Sequence, residues 1–82
     1  MSENRLAVIS IIVEDRVESP KINALLSEYG NFIIGRMGVP YKEKGVSVLC
    51  VAIDAPAEAL NTLTGKIGML KGVTAKTLMS KK

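Results

Sequence analysis

Apolar residues along this chain recur with two different periods. Residues 5–14 are dense in Ile and Val and run into the charged triplet Glu14-Asp15-Arg16, as a strand does where it leaves the core. The period then lengthens: Ile22, Leu25, Leu26 and Tyr29 recur at i, i+3, i+4 and i+7, one stripe of an amphipathic helix. Ser19 is placed to cap that helix, Pro20 suits its first turn, and Gly30 ends it. Residues 31–39 read as a second strand, with Gly35 and Gly38 marking bulges or close backbone approach. Residues 40–45 are polar and turn-forming, and residues 46–53 form a third strand. Asp54 can cap a second helix, in which Leu60, Leu63, Ile67 and Leu70 share one face before Gly72 stops it. Residues 73–79 alternate as a last strand.

The predicted order is β-α-β-β-α-β, an α+β ferredoxin-like sandwich of one four-stranded antiparallel sheet with two helices on one face. Residues 1–82 are read as a single domain. In this topology the first and third strands are central, and here both are apolar on both faces. Leu6, Val8 and Ile12 alternate with Ala7, Ile9, Ile11 and Val13; Val46, Val48, Cys50 and Ala52 alternate with Leu49, Val51 and Ile53. Two helices cover one face only, and a bare apolar sheet face is rare on a monomer. A second copy of the chain is the simplest cover. Val8, Ile9, Val48 and Leu49 are the candidate interface positions, on whichever face the helices leave free.

Composition narrows the chemistry. The 82 residues include no histidine, no tryptophan and one cysteine, Cys50. That removes Ser-His-Asp and Cys-His catalysis, imidazole metal ligands, four-cysteine zinc and any intrachain disulfide. No catalytic residue, metal or cofactor is assigned. A net charge of +3 from scattered lysines, with one Phe and two Tyr, lacks the basic stripe and aromatics of a nucleic-acid binder. The apolar runs fall short of the ~18 residues of a membrane span, and Glu14-Asp15-Arg16 is no signal-peptidase site. The expectation is a cytoplasmic, reducing location without membrane or direct nucleic-acid contact.

Several segments occur together in order: Ile12-Val13-Glu14-Asp15-Arg16, Asn23-Ala24-Leu25-Leu26, Gly35-Arg36-Met37-Gly38-Val39-Pro40, Leu63-Thr64-Gly65-Lys66-Ile67-Gly68, Lys71-Gly72-Val73 and Lys76-Thr77. In this combination the chain resembles the small proteins described as iron-only hydrogenase system regulators, over nearly its whole length. The resemblance implies an ACT-like domain akin to the C-terminal domain of the nickel-responsive repressor, which assembles as a tetramer. It further implies a homo-oligomer, at least a dimer, and a loop at Glu14-Asp15-Arg16 bordering an inter-subunit effector cleft. The chain lacks the histidines of the nickel site, so metal binding is not carried over. Asp15-Arg16-Val17-Glu18 also lacks the glycine of the amino-acid-binding ACT turn.

Five residues are singled out for a small anionic ligand: Arg16, Arg36, Gly65, Lys66 and Gly68. Glycines inside a helix cost about 1 kcal/mol each, so Gly65 and Gly68 mark either tight packing or an opening for a ligand. Arg36 can pair with a carboxylate across a seam or anchor an anion through its planar fork. Thr64-Gly65-Lys66 lacks the upstream glycine of a phosphate loop. The expected function is a non-enzymatic, oligomeric regulatory domain sensing a ligand at subunit interfaces. The alternative is a structural or assembly adaptor that docks a metalloenzyme or its maturation proteins without a ligand.

Overall fold

In the computed structural model, which describes residues 3–81, the order is β1 (Asn4–Val13), α1 (Ser19–Glu28), β2 (Ile33–Tyr41), β3 (Val46–Pro56), α2 (Ala57–Gly68) and β4 (Val73–Met79). One-turn 3-10 segments at Arg16–Glu18 and Gly30–Phe32 flank α1. The strands form one sheet in the order β2-β3-β1-β4, with β1 antiparallel to both β3 and β4 and β2 antiparallel to β3. The two doubly apolar strands are therefore the central ones.

The core lies between the sheet and the two helices. Ile9, Ile11 and Val13 of β1 and Val51, Ile53 and Ala55 of β3 meet Ile22 and Leu26 of α1 and Leu60, Leu63 and Ile67 of α2. A helix and a strand each contribute one apolar side, which is why the 3.6-residue and two-residue periods of the sequence converge there. α2 is also tied to β4: the Thr64 hydroxyl donates to the Leu60 carbonyl at 2.7 Å and accepts from the Thr77 hydroxyl.

Four local expectations are corrected. β3 runs on to Pro56, pairing Ala55 with Arg5 and Pro56 with Asn4, so Asp54 is a strand residue and caps nothing. Ser19 lies inside α1; Asp15 is the side chain that caps, its Oδ1 accepting from the Val17 N–H at 3.1 Å to start the 3-10 turn. Pro40 and Tyr41 belong to β2, opposite Ser47 and Val46. The missing Pro40 N–H is tolerated because β2 is an edge strand. Gly35 does sit at a register shift, whereas a side chain at Gly38 would meet Leu49 Cδ2 at an ordinary 3.5 Å.

The register separates the four candidate interface positions. Val8 and Val48 lie on the face away from the helices, 40% and 38% exposed. Ile9 is wholly buried beneath the helices and half-buried Leu49 packs against the same core, so neither lies on the face that the helices leave free. Val8 pairs with Ala52 and Ile9 with Val51, and a two-residue period cannot put both on one side.

Candidate functional site

The loops at one end of the sheet meet. The Glu14 N–H donates to the Gly72 carbonyl at 2.7 Å, and Gly72 adopts a left-handed φ of 70° against Asp15. This contact fixes the start of α1 relative to β1. It thereby shapes a groove between the first turns of α1 and the edge of the sheet, about 260 Å³ in volume.

The groove has an apolar floor and a polar rim. Ile22 of α1 and Leu49 of β3 lie at its base, with Val39 and Pro40 of β2 alongside; Ser19, Asn23 and Ser47 bring polar groups. Ser19 and Asn23 are one helical turn apart and so share a face of α1. Arg36 reaches across from β2, its Nη2 donating to Asn23 Oδ1 at 2.8 Å. Guanidinium carries five N–H donors, so one bond to Asn23 orients Arg36 without exhausting it. An exposed, oriented guanidinium beside a hydroxyl-lined apolar groove suits a small molecule with one anionic end.

A second depression lies between the helices on their outer side, lined by Ala24, Leu25, Met69 and Leu70 with Lys21, Glu28 and Lys66 around them. Glu18, just ahead of α1, is buried, and its Oε2 stands 3.5 Å from Lys21 Nζ with no hydrogen-bond partner. Among the described residues no Cys, Asp and Glu side chains cluster as a metal site would require, and no helix is long and apolar enough to cross a membrane.

The five residues singled out from the sequence do not form one site. Arg36 bonds to Asn23 of the α1–β2 groove but itself lines a separate depression with Val8, Gly35, Met37, Cys50 and Ala52, and Lys66 lines the depression between the helices. Arg16 is exposed in the 3-10 turn. Gly65 and Gly68 are exposed on α2, and a Cβ on either would meet nothing within 4 Å, so packing within this chain is not their role. Arg36 also pairs with an amide rather than with a carboxylate. Ser19, Asn23 and Ser47 were missed. The i, i+4 spacing of Ser19 and Asn23 was a usable signal; Ser47 depends on strand pairing that spacing alone does not reveal.

The family model whose description reads "TM1266-like: Iron-only hydrogenase system regulator, putative" matches residues 5–77. Among solved structures, uncharacterized protein TM1266 from Thermotoga maritima is similar over 96% of this chain and 100% of that one, at 30% identity and a TM-score of 0.91. The ACT domain from GTP pyrophosphokinase of Chlorobium tepidum is similar over 92% and 99%, at 24% identity and a TM-score of 0.77. CPII, a nitrogen regulatory PII-like protein from Thiomonas intermedia bound to ADP, AMP and bicarbonate, shares the fold over 95% and 92%, at 18% identity and a TM-score of 0.57. No curated protein matches the chain.

Proposed function

Because the chain belongs to the TM1266-like family of iron-only hydrogenase system regulators and has an ACT-like, ferredoxin-like fold, we propose that it is a non-enzymatic regulatory domain that works as an assembly and takes up a small anionic ligand in the α1–β2 groove. The observation that carries this reading is the bond from Arg36, an exposed arginine, to Asn23, which lines a groove with an apolar floor. Guanidinium and carboxylate or phosphate geometries match in pairs of parallel hydrogen bonds. The groove volume, below the ~300 Å³ at which drug-sized pockets begin, selects a ligand of amino-acid or small organic-acid size. Ligand uptake would act as a signal only by binding one state of the assembly better than another.

The test is a thermal-shift screen of small carboxylates and phosphates. One class should raise the melting temperature of the native chain and fail to do so for Arg36→Ala. A flat response across the screen would remove the ligand from the proposal.

One observation favours the adaptor reading instead. Met69 is 86% exposed beside the apolar depression between the helices, and Val17 on the neighbouring turn is 76% exposed. An adaptor would dock a protein there and show no ligand shift at all, while Met69→Lys would abolish docking.

A further inference from the structure

Of the two edge strands, β4 alone is left regular. β2 carries Pro40, which has no N–H to offer, and a register shift at Gly35, two devices that blunt a sheet edge. β4 pairs with β1 residue for residue from Val73 to Met79 and has neither. Two end bonds fix which of its backbone groups are spent. The Glu14 N–H donates to the Gly72 carbonyl and the Ser80 N–H to the Leu6 carbonyl, both at 2.7 Å. Inward and outward groups alternate along an antiparallel strand, so Thr74, Lys76 and Leu78 are also turned to β1. Ala75, Thr77 and Met79 therefore direct N–H and C=O groups to the outer side, where the sheet has no further strand. The side chains of Thr74, Lys76 and Leu78 stand exposed on the face away from the helices, Leu78 at 76%.

We propose that the β4 edge takes up an extended acidic segment of a partner protein as a fifth strand, bonded main chain to main chain. Charge selects this occupant over a second copy of the chain. Residues 69–82 hold four lysines and no Asp or Glu. Glu14 and Asp15 adjoin Gly72, at one end of the strand only. Two antiparallel β4 edges would match their outward groups most fully with Val73 opposite Met79 and Ala75 opposite Thr77. That register sets Lys76 against Lys76 and Lys71 against Lys81, and like charges directly opposite are destabilising. An acidic residue opposite Lys76 turns the repulsion into attraction. Side chains two apart on a strand share a face, so a neighbour two positions away would lie against Leu78 and should be apolar. The mark of the partner is an extended segment with an acidic residue two positions from an aliphatic one.

This contact depends neither on a ligand in the α1–β2 groove nor on how copies assemble. The probe is the end-capped peptide Thr-Leu-Thr-Glu-Thr-Thr-Thr, which in antiparallel register lays its leucine on Leu78 and its glutamate on Lys76. It is titrated to millimolar concentration into the isotope-labelled native chain, with amide shifts and hydrogen exchange as the readouts. Shifts and slowed exchange should centre on Ala75, Thr77 and Met79. Lys76→Glu should weaken the peptide roughly 2- to 30-fold, the range for one opposite-charge cross-strand pair made like-charged, and should favour the peptide with lysine in place of glutamate. Ala75→Pro removes one outward N–H and no bond to β1, so it should abolish binding with the circular dichroism unchanged. No response at millimolar peptide, shifts confined to other elements, or equal binding of the glutamate and lysine peptides would overturn the proposal. Protection of these three amides in the free chain that disappears on dilution would overturn it in favour of pairing between copies.

Discussion

Gly72→Ala probes the junction that positions α1. Two separate penalties meet at Gly72. Its φ of 70° is left-handed, which costs a residue with a Cβ about 1–2 kcal/mol. The added Cβ would also stand 2.9 Å from Asp15 Cβ and 3.3 Å from the Asp15 backbone nitrogen. Asp15 must shift, and it carries both the cap on Val17 and the chain that bonds Glu14 to Gly72. Losing a cap of this kind costs about 0.5–2 kcal/mol. Together the loss is about 1.5–4 kcal/mol. Gly45→Ala is the matched control, because Gly45 has a φ of 66° with open space around its would-be Cβ. It should lose only the left-handed part, and the change in unfolded-chain entropy cancels between the two variants. With unfolding entropy of about 2.1 cal/mol/K per residue over the 82 residues, Gly72→Ala should lower the melting temperature by about 9–23 °C and Gly45→Ala by roughly 6–12 °C. Calorimetry or circular dichroism at matched concentrations reads the difference. Equal losses in the two variants would refute the steric argument and leave only backbone strain.

Gly65→Ala should raise the melting temperature by about 6 °C, because Gly65 lies within α2 with open space around it and alanine is favoured there by about 1 kcal/mol; a fall would mean that another copy packs against that face. Ile9→Ala should destabilise by about 2–5 kcal/mol in denaturant titrations, since Ile9 is wholly buried in the core. Arg36→Ala should leave the circular dichroism and melting temperature of the free chain within about 0.5 kcal/mol of native, as expected of an exposed side chain, while removing any ligand-induced shift.

Periodicity exposed the elements because burial dictates it: the stripe Leu60, Leu63, Ile67 and the alternation Ala7, Ile9, Ile11, Val13 are the core residues observed. Element ends were less legible. Asp54 looks like a cap in the sequence, but two further pairs with β1 keep it in β3, because strand pairing depends on residues 50 positions away. Pro40 reads as a turn until β2 proves to be an edge strand. The candidate site suffered most. Arg36 was found because a charged residue between glycines is conspicuous, but its partner Asn23 lies 13 residues away on another element. Gly65, Lys66 and Gly68 looked like a site because glycine is costly in a helix. Their neighbourhood depends on how α2 is rotated, and the core stripe turns them outward.

Native mass spectrometry of the untagged chain, titrated with the small carboxylates and phosphates of the screen, tests the regulatory reading most directly, because one spectrum reports both copy number and bound ligand. The account predicts an even-numbered assembly of 8.8 kDa chains that gains one small anion per chain, with Arg36→Ala giving the same assembly without added mass. A bare monomer at micromolar concentration throughout the titration would contradict it.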